Sequence, residues 1–249
     1  MKFSQFRATL EKPPLSKIKA MIKYLYYWGW QRYCPICQRP ARKFGVAGYI
    51  ARQDASCLHC NSLERHRLVW LYFQQKTDLF NGQSKKMLHV APEAVFEKLL
   101  KARLGSAYLT ADLDPTRAMI QMDVTNIQFP AESFDVIYCS HVLEHVPDDR
   151  QAMREFFRVL KSDGWAILLV PITAEITFED PSITDPNDRL KFFGQEDHVR
   201  CYGFDYPERL SEAGFQVEII SPADFLTENE IKRMGITEAA GEIYYCVKA

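Results

Sequence analysis

Apolar and polar positions change period most clearly across residues 134–171. Val136, Ile137 and Tyr138 form a short apolar run between polar residues, which predicts a buried strand. After Asp148 and Asp149, the residues Met153, Phe156, Phe157 and Leu160 recur at helical spacing and predict an amphipathic helix. Lys161 to Gly164 are expected to stop that helix, with Gly164 supplying a left-handed turn. Ala166 to Val170 is apolar enough to be a strand buried on both faces. A strand, helix and strand of this kind belong to a parallel sheet and an α/β fold. Ligands of such sheets bind beyond the C-terminal ends of the strands, where Ser140, His141, Glu144 and His145 fall.

The same reading extends along the chain. Helices are predicted over residues 15–30, 61–74, 94–103 and 206–214, and strands over 86–91, 107–112, 215–220 and 241–248. Asp123 lies eleven residues after Asp112. A helical crossover takes about a dozen residues or more, so the helix before the third strand should be missing or one turn long, and that strand short. Residues 171–199 are rich in proline and acids. A long insertion after a strand's C-terminal end is where substrate loops sit.

Composition adds two constraints. The chain of 249 residues is 47% hydrophobic, which suits a sizeable core. No apolar run approaches the roughly 20 residues of a membrane span, and charge interrupts any signal-peptide core, so a cytoplasmic protein is expected. The net charge of −1 hides an asymmetry: residues 1–43 hold ten Lys or Arg and one acid, Glu11. Such an arm suits an anionic partner, and weak peripheral contact with an anionic membrane fits its Lys and aromatic residues; docking on the acidic body is the alternative.

Cys34-Pro-Ile-Cys37 and Cys57-Leu-His-Cys60 are two C-x2-C pairs separated by nineteen residues. This is zinc-site spacing. Four thiolates complete a tetrahedron and leave no open position, which predicts a structural zinc. A redox pair would need only one such motif. His59 reads as a bystander. The expected organisation is a basic arm and helix over 1–33, a zinc-binding module and connecting helix over 34–83, and a larger domain over 84–249. Arg65, His66 and Arg67 form a basic cluster, either a solvated helix face or a contact for an anionic substrate.

The string FDVIYCSHVLEHV with the following RVLKSDGW resembles the fourth motif and next segment of class I S-adenosylmethionine-dependent methyltransferases of the type 11-like group. Asp123, followed by Phe129-Pro130, is similar to the preceding motif, and the resemblance spans roughly residues 86–215. It implies a Rossmann-like, mostly parallel seven-stranded sheet with helices on both faces, a third strand short or missing, and an antiparallel last strand. It implies S-adenosylmethionine as cofactor. The first motif then falls on His89-Val90-Ala91-Pro92-Glu93, which holds no glycine. Ala91 is small enough for close approach but takes positive φ only at a cost. Glu93 would accept a hydrogen bond from the cofactor's ammonium group. Asp112, with Asp114 as runner-up, would bind the ribose hydroxyls, Asp123 the adenine amine, and Val124 the ring; Ser140 stands at the fourth strand's end. His198, Arg200 and Tyr202 match a DHVR-like segment that faces substrate or caps the loop.

The activity expected is methyl transfer to a small-molecule, sugar or lipid-linked acceptor. His141, His145 and His198 are the candidate bases, with His141 leading by its place at the tip of the fourth strand, followed by His198; Glu144 and His145 also read as packing contacts. An RNA methyltransferase with a zinc-binding substrate module is an alternative, in which the basic residues would hold phosphates. Nucleic acid is disfavoured by the acidic loop and by the absence of an NPPY-like string. The glycine-free turn motivates a third reading, a non-catalytic interaction protein that binds no cofactor.

Overall fold

The computed structural model describes residues 26–48 and 50–248. The helix expected over 15–30 and the leader before it lie outside the described residues, apart from residues 26–30, of which Tyr26 and Tyr27 are helical.

The chain opens with two small hairpins. β1 (Arg32–Cys34) pairs antiparallel with β2 (Arg39–Ala41), and β3 (Gly45–Ala47) with β4 (Arg52–Ser56). Each C-x2-C pair forms the same tight knuckle. Gln38 N–H donates to Cys34 O, and Asn61 N–H to Cys57 O, each at 2.8 Å. Gln38 and Asn61, the residues just past each pair, both take left-handed backbone, with φ 57° and 58°.

α1 (Glu64–Gln75) leads into the main sheet. Seven strands lie in the order β12-β13-β9-β8-β5-β6-β7, with β5 at Met87–Val90, β6 at Tyr108–Asp112 and β7 at Ile120–Gln121. β8 is Phe134–Ser140, β9 Leu160–Leu169, β12 Phe215–Ile220 and β13 Ile243–Lys248. β13 alone runs against its neighbours; the others are mutually parallel. β7 has two residues, and a run of turns in place of a helix leads to it, as the short spacing requires. Tyr245 of β13 meets Tyr72 of α1, whereas Tyr244 meets Tyr206 of α5 (Tyr206–Glu212). Adjacent strand residues point to opposite faces, so α1 and α5 cover opposite sides of the sheet. α2 (Ala94–Leu104) joins α1 on the first side, where Phe73 and Phe96 both reach Tyr138 of β8.

α3 (Asp149–Val159) begins on Asp148, whose side chain accepts the Gln151 N–H, and ends directly in β9. Gly164 therefore lies inside a strand and not in a left-handed helix stop. Its reason is space: a Cβ there would stand 2.7 Å from Asp135 O. The acidic insertion carries β10 (Phe178–Glu179) and α4 (Pro186–Phe193), and β11 (Arg200–Cys201) pairs back onto β10.

One apolar core runs from Cys34, Phe44 and Cys57 through Trp70 and Phe73 to Tyr138 and Ile167, so it is continuous across residue 83. Arg67 ties this junction. It is fully buried, and its guanidinium donates to Ala55 O and Ser62 O beside the second knuckle and to Met234 O and Gly235 O near the C-terminus. His66 packs on Phe96 and Arg65 is partly buried, so the basic cluster is folded inward and not spread on a solvated face.

Candidate functional site

The strands β5, β6 and β7 end together, and a cavity of about 360 Å³ opens beyond them. Ala91 and Asp112 line it from the ends of β5 and β6, Met122 to Thr125 from beyond β7, and Val142 and His145 to Asp148 from beyond β8. The volume falls in the range of small-molecule sites, about 300–1,000 Å³. Its chemistry is divided: Val124, Met122, Val142 and Val146 give apolar walls, and Asp112 and Asp123 give acceptors. Asp112 is steadied by the Asp114 N–H on Oδ1 at 2.9 Å; Asp123 accepts both the N–H and the hydroxyl of Thr125. Asp114 itself turns outward to cap Thr116 and does not line the cavity. Of the residues expected at a cofactor, Ala91, Asp112, Asp123 and Val124 meet here.

Ala91 adopts φ 46°, the left-handed backbone for which the family's motif uses glycine. Its N–H is held by Ala111 O at 2.8 Å, which fixes the turn against the end of β6. His89 stands behind this turn, fully buried and away from the cavity, contrary to its expected cofactor contact. Its Nε2 faces the Glu93 N–H at 3.5 Å, so Nδ1 carries the proton and donates to Tyr108 Oη at 2.7 Å. Burial holds its pKa down at about 4.

Glu93 is enclosed by donors. His66 Nε2 and Ser140 Oγ approach Oε1 at 2.9 and 3.4 Å, Tyr138 Oη donates to Oε2 at 2.9 Å, and Arg65 lies 3.5 Å away. Burial alone would raise its pKa, but the His66 hydrogen bond and the charges of His66, Arg65 and His89 outweigh it and hold the group near 2. The structure thus gives Glu93 and Ser140 a tie between α1, the first turn and β8, in place of a position on the cavity wall.

His141 follows Ser140 at the tip of β8 in left-handed backbone, φ 55°. Its Nδ1 lies 3.3 Å from Glu144 Oε1, and its ring faces a second cavity of about 330 Å³. Arg65, residues 169–172, Phe204, Glu242 and Tyr244 also line that space. Neighbouring positions along one turn therefore serve two cavities: His145 borders the first and His141 the second. Sequence reasoning missed Met122, Val142 and Val146 as cavity walls; their apolar side chains after strands β7 and β8 were the available signal.

Arg200 and Tyr202, expected to meet substrate, are buried in a structural network. Arg200 donates to Glu179 at 2.8 Å and to the carbonyls of Leu143, Val146 and Pro147. Tyr202 donates to Asp149 Oδ2 at 2.6 Å, and Arg209 bonds Asp149 and Glu179 together. Burial would raise the Glu179 pKa, yet Arg209 and Arg200 pull it to about 2. An acid from the insertion has taken the arginine, so neither Arg200 nor Tyr202 is free to bind an acceptor. His198 is likewise buried, packed edge-on to His145 at 4.7 Å.

The four cysteines of the two knuckles converge. Cys34 and Cys60 sulfurs are 3.6 Å apart, and Cys37 and Cys57 3.7 Å. Zn–S bonds of about 2.3 Å in a tetrahedron place sulfurs about 3.8 Å apart, so this set fits zinc. Ser62 Oγ lies 3.2 and 3.3 Å from the Cys34 and Cys60 sulfurs, an outer hydrogen-bonding partner of the kind that steadies metal ligands.

Residues 83–168 match the family model of a methyltransferase domain. Over 75 residues the chain is 40% identical to the uncharacterized methyltransferase YcgJ of Bacillus subtilis; the match takes in 30% of this chain and 28% of that protein. Among solved structures, an S-adenosylmethionine-dependent methyltransferase from Mesorhizobium loti superposes with a TM-score of 0.50 at 15% identity, over 72% of this chain and 97% of that one. The YcgJ structure gives 0.45 at 18% identity, over 73% and 94%. Residues 83–168 are thus similar to a methyltransferase domain, and the fold is that of the Mesorhizobium loti structure; the curated relative is matched over less than a third of its length.

Proposed function

We propose that the protein is an S-adenosylmethionine-dependent methyltransferase whose acceptor is a small molecule, a sugar or a lipid-linked compound. The observation that carries this reading is the first cavity, where the left-handed Ala91 turn, Asp112 and Asp123 converge at the strand ends. Bound there, S-adenosylmethionine would supply an electrophilic methyl group on sulfur. Asp112 would accept hydrogen bonds from the ribose hydroxyls, and Asp123 from the adenine amine. Val124 and Met122 would cover the ring. Ala91 lets the backbone come close, which speaks against a decayed site.

His141 stands in the second cavity, where an acceptor would lie. As a base it would take the proton of an acceptor hydroxyl, the role imidazole most often fills in general-base catalysis. Its Nδ1 lies 3.3 Å from Glu144 Oε1, which would orient the ring and leave Nε2 to act as the base. Of the basic cluster, His66 and Arg67 are folded inward, which weakens that support for the RNA reading, while Arg65 lines the second cavity. The cysteine set would hold a structural zinc. The exposed Tyr26, Trp28 and Trp30, beside Arg42 and Lys43, favour weak contact of the basic arm with an anionic membrane surface.

The test is a screen of sugars, nucleotides and small phenols with labelled cofactor, followed by His141→Ala. General-base help contributes about 10²–10⁴-fold, so turnover should fall by that order while cofactor binding holds. Full turnover in the variant would show that the proton leaves by another route.

A further inference from the structure

The 3-10 turn Leu143–His145 and the end of the acidic insertion meet between the two cavities. Val199 N–H donates to Glu144 O at 2.9 Å, which clips the insertion to the turn and brings His198 against Glu144 and His145. The three side chains each offer one ligand atom, and these atoms all lie within 4.8 Å of one another.

Two of the three are buried acceptors with nothing to accept. Glu144 is 1% exposed, and its Oε2 has no hydrogen-bond partner among the described residues. His198 is 6% exposed, and its Nε2 has none either. The tautomer follows from the other ring nitrogen. His198 Nδ1 lies 3.2 Å from Phe193 O, a carbonyl that can only accept, so Nδ1 carries the proton and Nε2 a bare lone pair. His145 repeats the arrangement: its Nδ1 lies 3.2 Å from Asp197 Oδ2, which leaves its Nε2 as acceptor. Buried polar groups are paired as a rule, and unpaired acceptors in a cluster this close call for a partner such as a bound cation.

We propose that Glu144, His145 and His198 form a second metal centre that takes one divalent transition cation. Two imidazoles and one carboxylate suit zinc, cobalt, nickel, manganese or iron(II) better than calcium or magnesium, which favour all-oxygen sets. Ligating histidines almost always donate their other N–H to a carbonyl or carboxylate, as His198 does to Phe193 O and His145 to Asp197 here. Three protein donors leave at least one position for water or an acceptor oxygen. The centre would stand beside His141 and border the first cavity through His145. This inference is independent of which acceptor is methylated.

The test is titration of Co²⁺ into the zinc-loaded full-length protein, followed in the visible and near-ultraviolet. The expected result is uptake of about one further equivalent, with d–d bands and no sulfur-to-cobalt charge transfer, because no cysteine belongs to this site. Glu144→Gln and His198→Ala should each abolish that uptake and leave the cysteine-bound zinc in place. His145→Gln, at a half-exposed position, should weaken it at least tenfold without unfolding the chain. X-ray absorption at the cobalt edge of the unmutated protein, independent of any variant's folding, should show nitrogen and oxygen ligands only. No uptake, a sulfur-ligated cobalt, or equal uptake in the three variants would overturn the proposal.

Discussion

Ala91 and Glu93 carry the first turn by different means. Ala91 holds φ 46° without being glycine, a conformation that costs an L-residue about 1–2 kcal/mol. The sequence shows a turn without glycine where the resembled family has a glycine-rich one; the structure gives Ala91 left-handed backbone and accepts the strain, anchored by the Ala111 carbonyl. Such a compensation depends on a hydrogen bond between strands and has no local signature. Glu93 reads in the sequence as a free acceptor, but Tyr138, Ser140 and His66 come from elements far along the chain to occupy it. Its folded pKa near 2 lies below the ordinary carboxylate value, so its contribution to stability is full above about pH 4.5 and lost as pH falls through 2. The acid-induced drop in melting temperature between pH 5 and about 2 should therefore be shallower in Glu93→Gln than in the unmutated protein, a comparison that differential scanning calorimetry makes. Parallel curves would show that Glu93 is not held as the structure places it.

Elements were legible where periodicity was strong and opaque where a third partner decided. β12, α2 and α3 follow directly from their apolar spacing, and the two-residue β7 follows from the eleven-residue interval between Asp112 and Asp123. The helix stop at Gly164 was misread because a glycine after a helix resembles a cap, while here it lets β8 and β9 approach. Arg200 was legible as an arginine after an acidic loop, but not as the partner of Glu179, because that pairing forms only when β10 lies on β11. The cysteine knuckles are the opposite case, since spacing alone sets their geometry. Structural zinc contributes folding free energy directly. Elemental analysis should find about one zinc ion less per chain in Cys57→Ser, and its thermal transition should move down as a whole. The single core joining the knuckles to the sheet predicts one transition. A separate early transition of the first 80 or so residues, with the sheet unaffected, would contradict it.

For the whole molecule, charge and cavity placement set the outer behaviour. A basic first segment precedes an acidic body, and exposed aromatic residues mark the junction. Each basic residue near an anionic surface contributes about 1 kcal/mol at most, so co-sedimentation with phosphatidylserine vesicles should be weak at low salt and vanish as salt rises. No binding at low salt would assign the arm to another partner. Two cavities lie on either side of the Ser140–His145 turn, which in the proposed reading would divide cofactor from acceptor, and only the first was legible from strand-end motifs. The second depends on Arg65 from α1 and on residues near the C-terminus, which no local pattern joins. In the proposed function the first cavity binds the cofactor through Asp112, which isothermal titration with S-adenosylhomocysteine measures directly. Saturable binding by the unmutated protein is expected, with a loss of about 1.5–3 kcal/mol, roughly 10- to 100-fold in affinity, in Asp112→Ala. No heat with the unmutated protein, or equal affinity in the two, would contradict it.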